Sequence, residues 1–144
     1  MTTSPVAFET LAMANGRQIG VATLDSERSL NALTLAMVEA LLPQLEQWAA
    51  DEQVAMVILR GRGERAFCAG GDVRDLTQAA RTGEGDPLAP AEFFAREYRL
   101  DYLIHQYAKP LLVWGTGVVM GGGIGLFAGA RYRVVTETSR LAMP

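Results

Sequence analysis

Residues 6–13 and 18–24 are two short, largely apolar runs that read as strands, and the Asn15-Gly16 pair between them suits the positive φ values of a tight turn. The chain is therefore expected to open on a β-hairpin. From residue 33 to residue 48, Leu33, Met37, Leu41, Leu45 and Trp48 recur at helical spacing, with Thr34 placed to cap the start, Asp51 near the exit and Pro43 expected to kink the middle. Residues 54–59 are nearly all apolar and stop at Arg60-Gly61, the pattern of a strand buried on both faces in a parallel sheet covered by helices.

Residues 65–76 predict a short strand running into Gly70-Gly71, with Asp72 as the cap of a helix beginning at Val73. Residues 81–90, which hold Gly83, Gly85, Pro87 and Pro90, read as a flexible insertion. A helix is expected over 91–107, ended by Pro110, then a strand over 111–114 leading into a glycine run, and a last strand over 131–136. No repeat of solenoid length and no linker interrupts this order, so residues 1–144 are expected to form part of one α/β domain around a mostly parallel sheet.

Seven glycines fall within the twenty uncharged residues 111–130. That stretch is long enough to span a bilayer, and Gly117, Gly121, Gly125 and Gly129 repeat every four residues as in packed membrane helices. Against this stand the alternating α/β pattern of the preceding hundred residues and the poor insertion of a lone glycine-rich span, so no membrane association is expected.

With 144 residues, 49% of them hydrophobic and 20% charged, the chain can bury a real core. A net charge of −3 supplies no broad positive field for phosphates, which argues against a nucleic-acid partner. Cys68 is the only cysteine, which excludes an internal disulfide and points to a reducing compartment; His105 is the only histidine, and no cluster has metal-ligand spacing. Residues 1–8 lack a basic start and an apolar run, so a cytoplasmic location is expected.

Three uses of a strand, a glycine turn and a helix start compete for the glycine run. Residues 123–128 fit G-x-G-x-x-A of dinucleotide sites, but no acidic residue follows about twenty positions later, and no Gly-Lys-Ser or Gly-Lys-Thr exists for a triphosphate loop. Alternatively, Gly125 and Gly129 let a helix press onto a sheet. The third use is an oxyanion hole, in which backbone N–H groups stabilise charge developing on a carbonyl oxygen. Two donors are needed, and two such turns exist, Ala69-Gly70-Gly71-Asp72 and Met120-Gly121-Gly122-Gly123.

The segments "SLNALTLAMVEAL", "AFCAGGDVRDL" and "GVVMGGGIGL", in this order and spacing, resemble the amino-terminal half of the crotonase superfamily, the enoyl-CoA hydratase/isomerase fold. The resemblance implies repeated β-β-α units, an incomplete C-terminal side, and an acyl-CoA enzyme with no bound cofactor, coenzyme A being part of the thioester substrate. It places the thioester oxygen at the N–H groups of Gly71 and Gly122. Arg28, Leu30, Ala32, Ala69, Gly70, Asp72 and Gly121 would line the substrate.

Within the superfamily, true hydratases carry a catalytic glutamate three positions after the second oxyanion glycine; here that position is Gly125, which transfers no proton. "EYRLDYLIHQYAKPLLVWGTGVVMGGGIGL" and "VVTETSRLAMP" resemble instead the hydrolase branch, the 3-hydroxyisobutyryl-CoA hydrolase family of valine breakdown. That resemblance implies that Glu97 faces the substrate and that the main catalytic glutamate follows directly on Ala142-Met143-Pro144, with an aspartate eight residues later. The chain then reads as an amino-terminal piece of a CoA thioester hydrolase, completed by the rest of its sequence or by another chain, with a homo-oligomer as a further possibility. An enoyl-CoA hydratase or isomerase, and an acyl-CoA-binding piece without turnover, are the rival readings.

Read without the resemblance, Glu97 is an ordinary helix residue paired with Arg96 or Arg99. Cys68 is expected in the core rather than as a nucleophile, His105 carries no chemistry, and Asp72 is a helix cap before it is a site residue.

Overall fold

A computed structural model describes residues 4–72 and 74–144. The expected hairpin is formed by β1 (Val6–Ala12) and β2 (Gln18–Leu24), antiparallel with Val6 opposite Leu24. Helix α1 (Leu35–Ala50) follows. Thr34 caps it as predicted, its hydroxyl accepting from the Met37 amide at 3.1 Å, and Pro43 sits inside the helix on an exposed position where the lost backbone bond can be made up by water.

The chain then alternates between two sheets. Strands β3 (Val54–Gly61), β5 (Leu111–Gly115) and β7 (Tyr132–Val135) join the hairpin in a five-stranded sheet of order β1-β2-β3-β5-β7, parallel apart from the hairpin. Each is followed at once by a three-residue strand in a second, wholly parallel sheet of order β4 (Ala66–Cys68), β6 (Val118–Met120), β8 (Arg140–Ala142). Helices α2 (Arg74–Thr82) and α3 (Ala89–His105) follow β4, and α4 (Gly122–Ala128) follows β6. The repeating unit is thus one strand in each sheet and then helix. The expected β-β-α units around mostly parallel sheet are present, with the short strands β4, β6 and β8 gathered in a sheet of their own.

Helix α3 begins at Ala89, two residues earlier than predicted, because Pro90 falls in the first turn, where a missing N–H costs nothing. The predicted insertion shrinks to residues 83–88 between α2 and α3. The predicted helix start at Val73 lies outside the described residues. Residues 111–130 divide into β5, β6 and α4, and no helix among the described residues is long and apolar enough to cross a membrane.

All five stripe residues predicted for the first helix, Leu33, Met37, Leu41, Leu45 and Trp48, are buried, and they pack with Leu24, Val57, Leu59, Val113 and Leu100 in one core. Full burial of such a side chain contributes about 1.5–3 kcal/mol, so this face alone fixes α1 on the sheet. On the outer side of α3, Arg96 pairs with Glu39 and Arg99 with Glu46, tying α3 to α1 across exposed positions. The inner face of α3 carries Phe93, Glu97, Leu100 and Ile104. One of these four buried residues is a carboxylate.

Candidate active site

Strands β4 and β6 run parallel, with Cys68 opposite Val119, so the turns that follow them leave the sheet side by side. Gly121 has φ 52° and ψ −120°, a backbone conformation that residues with side chains avoid, and a Cβ there would lie 3.6 Å from the Gly70 Cα. At the next residue the approach is closer still: a Cβ on Gly122 would sit 3.3 Å from the Gly71 nitrogen. Neither the Gly71 nor the Gly122 amide donates a hydrogen bond among the described residues, Gly122 being the first residue of α4 with no helical carbonyl behind it. Two unspent donors from two turns therefore adjoin one another, an arrangement able to stabilise an oxygen on which negative charge develops.

Glu97 closes this site from α3. It is 5% exposed, and its Oε1 lies 2.5 Å from where a Cβ on Gly122 would be. Burial pushes its carboxyl above the usual glutamate range. Pairing with Arg96 or Arg99 is ruled out, because both arginines turn to α1 while Glu97 turns inward.

Asp101, one helical turn further along α3, was not singled out by sequence reasoning. Its Oδ2 lies 2.8 Å from the position of a Cβ on Gly125, and its Oδ1 is shielded from solvent with no hydrogen-bond partner among the described residues. Burial first, and then the charge of Glu97, push its carboxyl up to about 7. The spacing of two carboxylates at i and i+4 was the available signal. Gly125 and Gly129 accordingly pack α4 against α3, through Asp101 and His105, rather than against a sheet.

Two segments expected along the substrate are laced together. Leu30 and Asn31 adopt left-handed backbone angles, φ 55° and 54°, after a 3-10 turn at Glu27–Ser29. The Ala69 amide then donates to the Leu30 carbonyl at 3.0 Å, the Leu33 amide to Gly70 at 2.7 Å and the Asp72 amide to Leu33 at 2.8 Å. Leu30 and Ala32 thereby lie beside Ala69, Gly70 and Gly71. Buried Asn31, also missed in the sequence, holds this crossing: its Nδ2 donates to the Arg62 and Ala66 carbonyls at 3.1 and 2.9 Å, and its Oδ1 accepts from the Ser26 amide at 3.0 Å.

Arg28 is exposed on the 3-10 turn and makes no ion pair among the described residues. Asp72 is engaged by Arg74, whose guanidinium holds its carboxyl below the usual aspartate range, and it also accepts from the Arg74 amide at 3.3 Å. Cys68 is fully buried with its thiol pushed up to about 11 by burial, so it is no nucleophile. His105 is exposed in the last turn of α3. Among the described residues no group of three or more histidine, cysteine or carboxylate side chains could hold a metal ion.

The sequence model of the enoyl-CoA hydratase/isomerase family matches residues 19–144. The 3-hydroxyisobutyryl-CoA hydrolase, mitochondrial, of Danio rerio is 43% identical over 98% of this chain and 35% of its own length; the human protein of that name is 41% identical over 87% of the chain and 32% of its length. The chain thus spans about a third of the length of these relatives. Among solved structures, an enoyl-CoA hydratase from Rhodobacter sphaeroides 2.4.1 superposes with TM-score 0.88 at 38% identity, covering 98% of this chain and 40% of that one. A carnitinyl-CoA dehydratase from Mycobacterium thermoresistibile gives 0.87 at 37% identity, covering 99% and 39%.

The expectation of a cytoplasmic protein is corrected by these relatives, which are named as mitochondrial. A lone buried cysteine fits any reducing compartment and does not single out the cytoplasm. The family match, the superposed folds and the adjoining glycine turns agree, and the chain belongs to the enoyl-CoA hydratase/isomerase family, with the crotonase fold.

Proposed function

We propose that this chain carries the oxyanion site of a CoA thioester hydrolase acting on 3-hydroxyisobutyryl-CoA, a step of valine breakdown. The observation that carries the reading is the Gly71 nitrogen adjoining Gly122, both amides unspent, beneath a buried carboxyl from Glu97. The thioester carbonyl oxygen accepts from both N–H groups. Water adds to the carbonyl carbon, the resulting oxyanion is held by the same pair, and the C–S bond breaks to release CoA thiol and the hydroxy acid. Each such donor typically contributes about 10²- to 10³-fold in rate.

Glu97 seats the hydroxyacyl group and takes part in proton transfer, while a carboxylate from further chain activates the water. Arg28, Leu30, Ala32, Ala69, Gly70, Asp72 and Gly121 line the bound CoA thioester, with Arg28 as a phosphate contact. Asp72 contributes through its backbone, its carboxylate being committed to Arg74. No bound cofactor and no metal enters this scheme. Tyr132, Val135, Leu141 and Met143, on and beside β7 and β8, are exposed large apolar side chains that association with a second copy or with the rest of the protein would cover.

Hydrolysis is favoured over hydration by glycine at position 125 and by the names of the curated relatives, 40–44% identical among several vertebrates. The test is an assay of the full-length protein with 3-hydroxyisobutyryl-CoA and with crotonyl-CoA. Free thiol release from the first and no hydration of the second is the expected result. Hydration of crotonyl-CoA without thiol release overturns the reading in favour of a hydratase, and binding without either reaction favours a non-catalytic acyl-CoA site.

A further inference from the structure

Two carboxyl groups stand one helical turn apart on the inner face of α3, and both touch glycines of α4. Glu97 reaches Gly122, beside the unspent amides, whereas the half-buried Asp101 reaches Gly125 and has one oxygen shielded from water with no hydrogen-bond partner among the described residues. A charge on Asp101 would find no hydrogen-bond donor at its shielded oxygen among the described residues, whereas a charge on Glu97 lies nearer the available N–H groups.

The charged groups around the pair do not change this balance. Helix α4 (Gly122–Ala128) carries no ionisable side chain, and β4 contributes Cys68, whose thiol stays neutral until about pH 11. From α1, Glu39 and Glu46 are engaged by Arg96 and Arg99 on the opposite side of α3, and on α3 itself His105 follows exposed in the last turn. No cation reaches either carboxyl among the described residues.

We infer that Asp101 is a positioning residue that carries a proton in the working enzyme, so that the carboxyl pair beside the oxyanion turns holds one negative charge, on Glu97, rather than two. The inference deepens the hydrolase reading and rests on it for its kinetic consequence alone. When Asp101 loses its proton, a second negative charge faces the site where the thioester oxygen must become an anion. The transition state is then disfavoured more than the bound substrate, and kcat falls.

The experiment uses the full-length protein, its Asp101→Asn variant and its Glu97→Gln variant. First, infrared spectra across pH follow the C=O stretch of protonated carboxylic acid, a readout independent of any activity. A band titrating near pH 7, absent in Asp101→Asn and moved to lower midpoint in Glu97→Gln, is expected. Second, kcat for 3-hydroxyisobutyryl-CoA is measured across pH. The native enzyme is expected to lose activity above about pH 7, and Asp101→Asn to keep its activity there, exceeding the native enzyme roughly tenfold or more at pH 9.

A missing band, a band unmoved by Glu97→Gln, or superimposable pH profiles overturns the inference. An Asp101→Asn variant that fails to fold leaves the Glu97→Gln infrared arm to decide. A band that behaves as expected in a protein without thioesterase activity would sink the hydrolase reading while leaving the charge assignment standing.

Discussion

The Gly71 nitrogen lies 3.3 Å from the point where a Cβ on Gly122 would project. These residues are far apart in sequence, and what joins them is the parallel pairing of β4 with β6, which delivers two glycine turns to the same place. The missing side chain at 122 leaves room both for the Gly71 N–H and for the Glu97 carboxyl. A methyl group there would strike Glu97 Oε1 at 2.5 Å.

Gly122→Ala is therefore expected to fill the space a thioester oxygen needs while leaving the main core untouched. We expect kcat/KM of the full-length enzyme to fall by about 10²- to 10³-fold, comparable to losing one oxyanion donor, with a far-ultraviolet circular dichroism spectrum like that of the native protein. Activity within a few-fold of native would speak against substrate binding at this turn.

Glu97→Gln keeps the shape of the side chain and removes its charge and proton chemistry. Thioester hydrolysis should drop by about 10²-fold or more. Arg96→Ala, one position away but directed to an exposed pair with Glu39, should change rate and stability little, since such pairs contribute about 0–1 kcal/mol. Equal effects of the two substitutions would show that Glu97 has no special place.

Asp101 also leaves a mark on stability. Between the ordinary aspartate value of 3.8 and about 7, the folded state binds a proton that the unfolded chain has released. Stability therefore declines as pH rises through that window and levels off above it. Asp101→Asn should remove this decline and raise Tm relative to native at pH 8, with little difference near pH 4. Thermal melts of the full-length protein at the two pH values check the sign.

How much of this could be read from sequence differs from element to element. The stripe from Leu33 to Trp48 announced α1 because burial on one helical face imposes its own period. Strands β6 and β8 left no such trace: three residues are too few to show a period, and their pairing depends on partners distant in the chain. The two glycine turns were legible as strand-to-helix junctions, but their adjacency is a property of sheet order. Asp101 reads locally as one more solvated charge on a helix; only the docking of α4, permitted by Gly125, shields one of its oxygens. Asn31 was hidden for a similar reason, its three hydrogen-bond partners lying in two other segments.

Asn31 gives a test of that long-range architecture. Asn31→Ala leaves three backbone groups without the side chain that satisfies them, at about 1–3 kcal/mol for each that stays buried and unpaired. It also places alanine at φ 54°, which costs roughly a further 1 kcal/mol. Urea denaturation should report a loss of several kcal/mol in sum, about 3 or more. The crossing of residues 30–33 with 69–72 should loosen with it, weakening CoA binding in calorimetry.

Cys68 offers a check on the core. Its thiol is fully buried and held protonated by burial, so iodoacetamide should not label Cys68 in the folded protein at pH 8 and should label it readily in denaturant. Rapid labelling of Cys68 in the folded protein would contradict the packing of β4 beneath α4.

The most direct measurement is a crystal structure of the full-length protein bound to a non-hydrolysable ketone analogue of the CoA thioester. The analogue's carbonyl oxygen is expected about 2.7–3.1 Å from both the Gly71 and the Gly122 nitrogens. An oxygen that reaches neither amide, or an acyl group bound away from the two turns, would contradict the assignment.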